Sequence, residues 1–192
     1  MAFARARLIR ALDCFRLGIG MYSVDQQDTI IGLEGIPQSC VGAPLPLVMS
    51  DEHVLLLAYI IQGRRYVRDG RVLTDADLDM FVEHIALVEF EMCWSCMFGS
   101  PNDETLNGHP LYSRGLTPYG AFEVEGSSWI RALERTNSVH PRHDPKRFES
   151  LHHYVFTFHD STFECVAEGY KITEHEGTIA ELMPEMQRRL LR

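Results

Sequence analysis

Five of the nine histidines fall within one twenty-residue window, His140, His143, His152, His153 and His159, and Asp144, Asp160, Glu164 and Glu168 lie among or just after them. Imidazole nitrogens and carboxylates are donors that a divalent cation such as zinc or iron takes three or four at a time, once a fold makes them converge. His153 and Glu168, facing each other across a hairpin, would supply two donors, and His140, His143 or the more distant His109 a third. No His-Glu-x-x-His or other familiar ligand spacing occurs. The plainer reading of the same letters is a set of polar loop residues around Pro141 and a surface pair between His153 and Glu168.

A second group sits in the Gly- and Pro-rich stretch 98–120: Asn102, Asp103, Glu104, His109 and Arg114. There His109 has the chemistry of a base, and Arg114 carries the bidentate fork that clamps anions. A stretch this long with little periodicity suits a lid or ligand-binding loop. Asn102 and Asp103 are equally the residues that turns use to bond their own backbone.

Two further patterns are weaker. Cys93-Trp94-Ser95-Cys96 is a Cys-x-x-Cys, which can cycle as a dithiol or give half a zinc site; without a second such pair, packed thiols explain it as well. His159-Asp160-Ser161-Thr162 has the residue types of a hydrolase, but no Gly-x-Ser-x-Gly and no Gly-rich phosphate loop occurs.

The elements that must position these groups follow from periodicity. Residues 153–159 and 162–172 alternate and read as two strands joined by a tight turn at Asp160-Ser161, or by a loop over 159–162 with the same pairing. That pairing sets Phe158 against Phe163, Phe156 against Cys165, and Tyr154 against Ala167, which makes one face apolar. The other face carries His153 opposite Glu168 and Thr157 opposite Glu164, and is expected to be half solvated. The continuous apolar run 54–61 suits a strand buried on both faces, and 85–92 a strand with one wet face. A short strand is expected at 121–124, and 64–71 reads as an exposed turn.

Thr74 opens a helix through about Glu83, and Ser127 or Ser128 caps another carrying Trp129. Asp144-Pro145 opens a short helix to about Leu151. Thr178 and Glu181 form a capping box ahead of a C-terminal helix that Pro184 either kinks or begins.

These elements predict an α+β fold: a single domain over 21–192 with an antiparallel or mixed sheet, helices packed on one face and a C-terminal helix closing it. The chain of 192 residues is long enough for one core. Its formal charge of −9 opposes a phosphate backbone, so no nucleic-acid partner is expected. No run approaches the about 20 apolar residues of a membrane span. Residues 1–20, with four arginines against one aspartate, read as a basic N-terminal extension or helix. Five cysteines in no small-scaffold spacing point to reduced thiols and a cytoplasmic setting.

The strings Val-Phe-Thr-Phe-His-Asp-Ser-Thr-Phe-Glu-Cys at 155–165, Phe-Gly-Ser-Pro-Asn-Asp-Glu at 98–104, Gly-His-Pro at 108–110 and Asn-Ser-Val-His-Pro at 137–141 resemble an uncharacterised bacterial protein family. The resemblance covers about Gly42 to Ile172 and implies no activity. Taken together, the residues point to a small binding or accessory module that presents the polar hairpin face and the long loop to a protein or a small-molecule ligand. A metal-dependent hydrolase or oxygenase with a His/Glu site is the alternative, and a homo-oligomeric structural protein the third reading.

Overall fold

The apolar run at 54–61 forms a strand whose two faces meet two different partners, and that division organises the molecule. The computed structural model describes residues 22–62, 67–68, 71–72 and 83–191. Its strands are β1 (Thr29–Gly32), β2 (Leu47–Ser50), β3 (Val54–Ile60), β4 (Val67–Arg68), β5 (Arg71–Val72), β6 (His84–Glu91), β7 (Ser95–Gly99), β8 (Ala121–Glu125), β9 (His152–Thr157), β10 (Thr162–Ala167) and β11 (Gly169–Glu176). Two α-helices, α1 (Ser128–Asn137) and α2 (Ile179–Leu190), accompany them. The basic segment 1–20 and, apart from Glu83, the helix expected at 74–83 lie outside the described residues.

The strands form an α+β domain with two antiparallel sheets, a five-stranded one ordered β1-β8-β9-β10-β7 and a four-stranded one ordered β11-β6-β3-β2, beside the small β4-β5 hairpin. Leu55, Leu57 and Tyr59 of β3 and Ala86, Val88 and Phe90 of β6 pack against Tyr154, Phe156, Phe163 and Cys165 to form the core between the sheets. The opposite face of the four-stranded sheet, with Leu56, Ala58, Ile85 and Leu87, is covered by Leu182 and Met186 of α2. Arg189 of α2 also reaches Glu89 Oε2 at 3.0 Å, so this face of β6 is partly covered rather than simply wet. Thr178 and Glu181 do form the capping box, and Pro184 lies inside the helix they open.

The expected run 162–172 divides between the two sheets. It breaks at the exposed Glu168, where the chain leaves β10 and continues as β11 beside β6. The hairpin keeps the expected faces but shifts its pairs: Phe163 stands opposite Phe156, Thr162 opposite Thr157 and Val166 opposite His153. The turn is 158–161, closed by the Phe158 N–H donating to the Ser161 carbonyl at 2.8 Å. An even slip conserves which side chains face the core and changes which ones meet.

The face of the hairpin expected to be half solvated is buried. Val155 and Val166 lie beneath Tyr22, Leu106, Leu111, Trp129 and Phe148. The stretch 98–120 is the main cover, folded into 3₁₀ turns at Asp103–Gly108 and Tyr112–Arg114 and pinned by the buried Leu106, Leu111 and Leu116. The helix expected from Pro145 is only a 3₁₀ turn, Pro145–Phe148. No helix among the described residues is long and apolar enough to cross a membrane.

Candidate ligand cleft

Glu164 is the one carboxylate on the covered face of β10, and with 6% of its surface exposed it needs partners. The 3₁₀ turn at Asp103–Gly108 ends at His109, whose Nε2 lies 3.0 Å from Glu164 Oε1. His109 Nδ1 accepts the Leu111 backbone N–H at 3.1 Å, so the ring proton sits on Nε2 and points at the carboxylate. From β9, the fully buried His153 places Nε2 3.0 Å from Glu164 Oε2. Its Nδ1 faces Ser127 Oγ at 3.0 Å. Ser127 caps α1 by accepting the Ile130 N–H at 3.3 Å, which leaves its own hydroxyl proton for His153. The Tyr22 hydroxyl donates to Glu164 Oε2.

Both imidazoles turn Nε2 toward Glu164, the one carboxylate of the cluster. Burial by itself would raise the carboxyl pKa, but the hydrogen bonds from His109 and His153, together with the electrostatic pull of the same two rings, outweigh it and hold it at about 2. Burial, and then the adjacent Glu164 charge, push the Tyr22 hydroxyl upward, so it stays a donor. The aromatic groups are held by each other: Tyr22 stacks on Trp129 at 5.3 Å between ring centres, and Trp129 meets His153 edge-on at 5.0 Å.

Glu164, His109 and Tyr22 open onto a cleft of about 410 Å³ whose walls include Met97, Phe98 and Pro101. A carboxylate has about four acceptor positions. Oε2 receives two donors, from His153 and Tyr22, and Oε1 receives one, from His109. One position on Oε1 remains. The nearby hydroxyl protons are committed elsewhere: Thr162 donates to the Pro101 carbonyl at 2.9 Å and Thr105 to Asn102 Oδ1 at 2.5 Å.

A second cluster lies at the tip of the hairpin. Asp103 Oδ2 accepts from His159 Nδ1 at 2.9 Å and from the Tyr119 hydroxyl. The Tyr119 bond and then the His159 bond lower the Asp103 pKa, while the Asp103 bond raises that of His159. The same carboxylate pushes the Tyr119 hydroxyl up to about 12.

The residues singled out from sequence are thus divided. His109 belongs to the cleft and Asp103 to the hairpin-tip cluster. Asn102 caps the 3₁₀ turn by accepting the Thr105 N–H at 3.1 Å, and Glu104 is exposed in that turn's first residues. Arg114 donates to the Asp25 carbonyl at 2.8 Å, which ties the loop to the segment before β1.

The four candidate metal ligands do not assemble. His143 bonds Glu134 Oε1 at 2.7 Å and Asn137 Oδ1 at 3.0 Å, His140 is exposed and accepts the Arg142 N–H at 3.1 Å, and Glu168 is exposed at the strand break. His153 pairs with Glu164 instead, because the register brings Val166 rather than Glu168 opposite it. Among the described residues no three His, Cys, Asp or Glu side chains are placed to share a cation.

The Cys-x-x-Cys is not activated. Bonding with Cys165, more than burial, pushes the Cys93 thiol up to about 12, and bonding with Cys93 pushes Cys96 up as well. A protonated thiol is a poor nucleophile.

Glu164 and His159 stand out in the sequence as titratable residues of the hairpin without an assigned site, whereas Tyr22, Ser127 and Tyr119 do not stand out as site residues at all. Glu164 carried a signal, a lone carboxylate inside an otherwise apolar strand on the same face as His153. Tyr22 carried none, since it meets Glu164 across 142 positions. Comparison of the chain with known protein families, with curated proteins and with solved structures finds no match.

Proposed function

We propose that the protein is a binding module whose cleft takes a small molecule with an apolar body and a cationic amine, the amine donating to Glu164. The observation that carries this reading is an ionised, largely buried carboxylate in the lining of a cleft, with three hydrogen-bond donors for about four acceptor positions. A cationic amine that reaches the ionised Glu164 along the apolar walls would add a charge-assisted hydrogen bond in a largely buried setting. Met97, Phe98 and Pro101 supply the apolar contact, and the volume is in the range of small-ligand sites. The free thiols of Cys40, Cys93, Cys96 and Cys165 favour a reducing, cytoplasmic setting for this role.

Benzylamine and benzyl alcohol, titrated calorimetrically at neutral pH, test it. The two share a ring and differ in charge. The amine is expected to bind at least tenfold more tightly, a difference of about 1.4 kcal/mol. Equal affinity, or preference for the alcohol, would remove the amine reading.

A further inference from the structure

The segment 135–147, which leaves the C-terminal end of α1, is basic in an acidic chain. It carries Arg135, Arg142, Lys146 and Arg147 against the single acid Asp144, while the whole chain has a formal charge of −9. All four cations are exposed, and none of them forms an ion pair among the described residues. Glu134, just before the segment, is already bonded to His143. Beside these cations an apolar cleft of about 360 Å³ opens at the surface, with Trp94, Leu133, Val139 and His140 in its lining. Its walls can be reached: Trp94 and Leu133 are half-buried, and Val139 has 88% of its surface exposed. Trp94 is held edge-on to Phe148 at 4.9 Å between ring centres, and the Arg147 guanidinium lies over the same indole, 5.8 Å from its centre. An arginine drawn to the face of a tryptophan keeps its N–H donors for a carboxylate. His140 accepts the Arg142 N–H on Nδ1 at 3.1 Å, which leaves Nε2 as its donor.

We infer that this surface docks an acidic segment of a partner protein, with one bulky apolar side chain seated among Trp94, Leu133 and Val139 and the flanking carboxylates facing the basic segment. An exposed apolar opening rimmed by polar groups marks an interaction site, and complementary charge selects what comes to it. The four unpaired cations are spread from position 135 to 147, further than one small anion reaches, so the occupant is an extended segment with several carboxylates. Leu133 and Val139 are aliphatic and suit an apolar side chain better than a stacked base, and the chain's net negative charge opposes a nucleic acid. The cleft shares no lining residue with the Glu164 cleft and does not depend on the function proposed there.

The probe is the peptide acetyl-Glu-Glu-Phe-Glu-Glu-amide, compared with the same peptide carrying Ser in place of Phe and with one carrying Gln in place of every Glu. Binding is followed by amide chemical shifts in nitrogen-labelled full-length protein, which also report whether each variant is folded. The acidic Phe peptide is expected to saturate shifts at Trp94, Leu133, Val139 and His140, to bind at least fivefold more tightly than either control, and to weaken as salt is raised. Val139→Glu, which changes an exposed side chain, and Arg147→Glu each weaken it at least fivefold, and Glu164→Gln leaves it unchanged. The inference is overturned by shifts that do not saturate or that map elsewhere, or by either control binding within twofold of the probe. Unaltered affinity in a folded Val139→Glu, or tighter binding of an eight-residue oligothymidylate than of the peptide, overturns it equally.

Discussion

His153 Nε2 lies 3.0 Å from Glu164 Oε2 although the two residues are not opposite each other in the hairpin; Val166 faces His153, and Val155 faces Glu164. The contact is diagonal across the strands, within reach of a long side chain. It turns two titratable residues of one strand pair into the support of a cleft on which the loop residue His109 and the distant Tyr22 also converge.

Removal of His153 leaves a buried carboxylate short of a donor and the Ser127 hydroxyl without its acceptor. His153→Leu is expected to lower unfolding stability by about 3 kcal/mol or more. Urea unfolding followed by circular dichroism measures it. A loss below about 1 kcal/mol would show that the Glu164 charge does not depend on this partner.

The Glu164 carboxyl titrates at about 2 in the folded chain, below its ordinary value of 4.5. A lowered folded pKa means that its contribution is fully present above the ordinary value and lost as pH falls through the folded one. This group contributes on the order of 3 kcal/mol near neutrality. Unfolding stabilities of wild type and Glu164→Gln, compared from pH 6 down to pH 2.5, are expected to converge as the pH falls. A difference independent of pH would contradict the assignment of the charge.

At the hairpin tip the Asp103 bond raises the His159 pKa above its ordinary 6.5. The stabilisation from this pair is therefore complete below 6.5 and disappears as pH rises through the higher folded value. An NMR titration of the His159 ring is expected to show the raised value in wild type and a return toward 6.5 in Asp103→Asn. An unchanged titration in that variant would place the cause elsewhere.

Much of this fold is legible in the letters, and the parts that are not have physical reasons. The alternation of Tyr154, Phe156, Phe163 and Cys165 assigns the core face of the hairpin, because parity survives any even slip. It does not assign the register, since the turn at 158–161 has none of the Asn-Gly or Asp-Gly chemistry that fixes a pairing. The fate of the other face depends on Tyr22, Leu106 and Trp129, which come from distant segments and carry no local sign of covering a strand. His109 is legible as a polar residue in a long loop. Its partner is not, because Glu164 acquires its role only when that loop folds over β10.

The cover on the four-stranded sheet is tested by Met186, which is fully buried against it. Met186→Ala is expected to cost about 2–4 kcal/mol in urea unfolding. A loss under about 1 kcal/mol would mean that α2 does not pack there.

The central claim, that Glu164 anchors an amine in the cleft, is tested most directly by calorimetric titration of benzylamine into wild type and Glu164→Gln at neutral pH, with amide shifts confirming that both are folded. The glutamine keeps the shape of the side chain and removes its charge. Affinity at least tenfold weaker in Glu164→Gln is the predicted result, and affinity unchanged in a folded Glu164→Gln would contradict it.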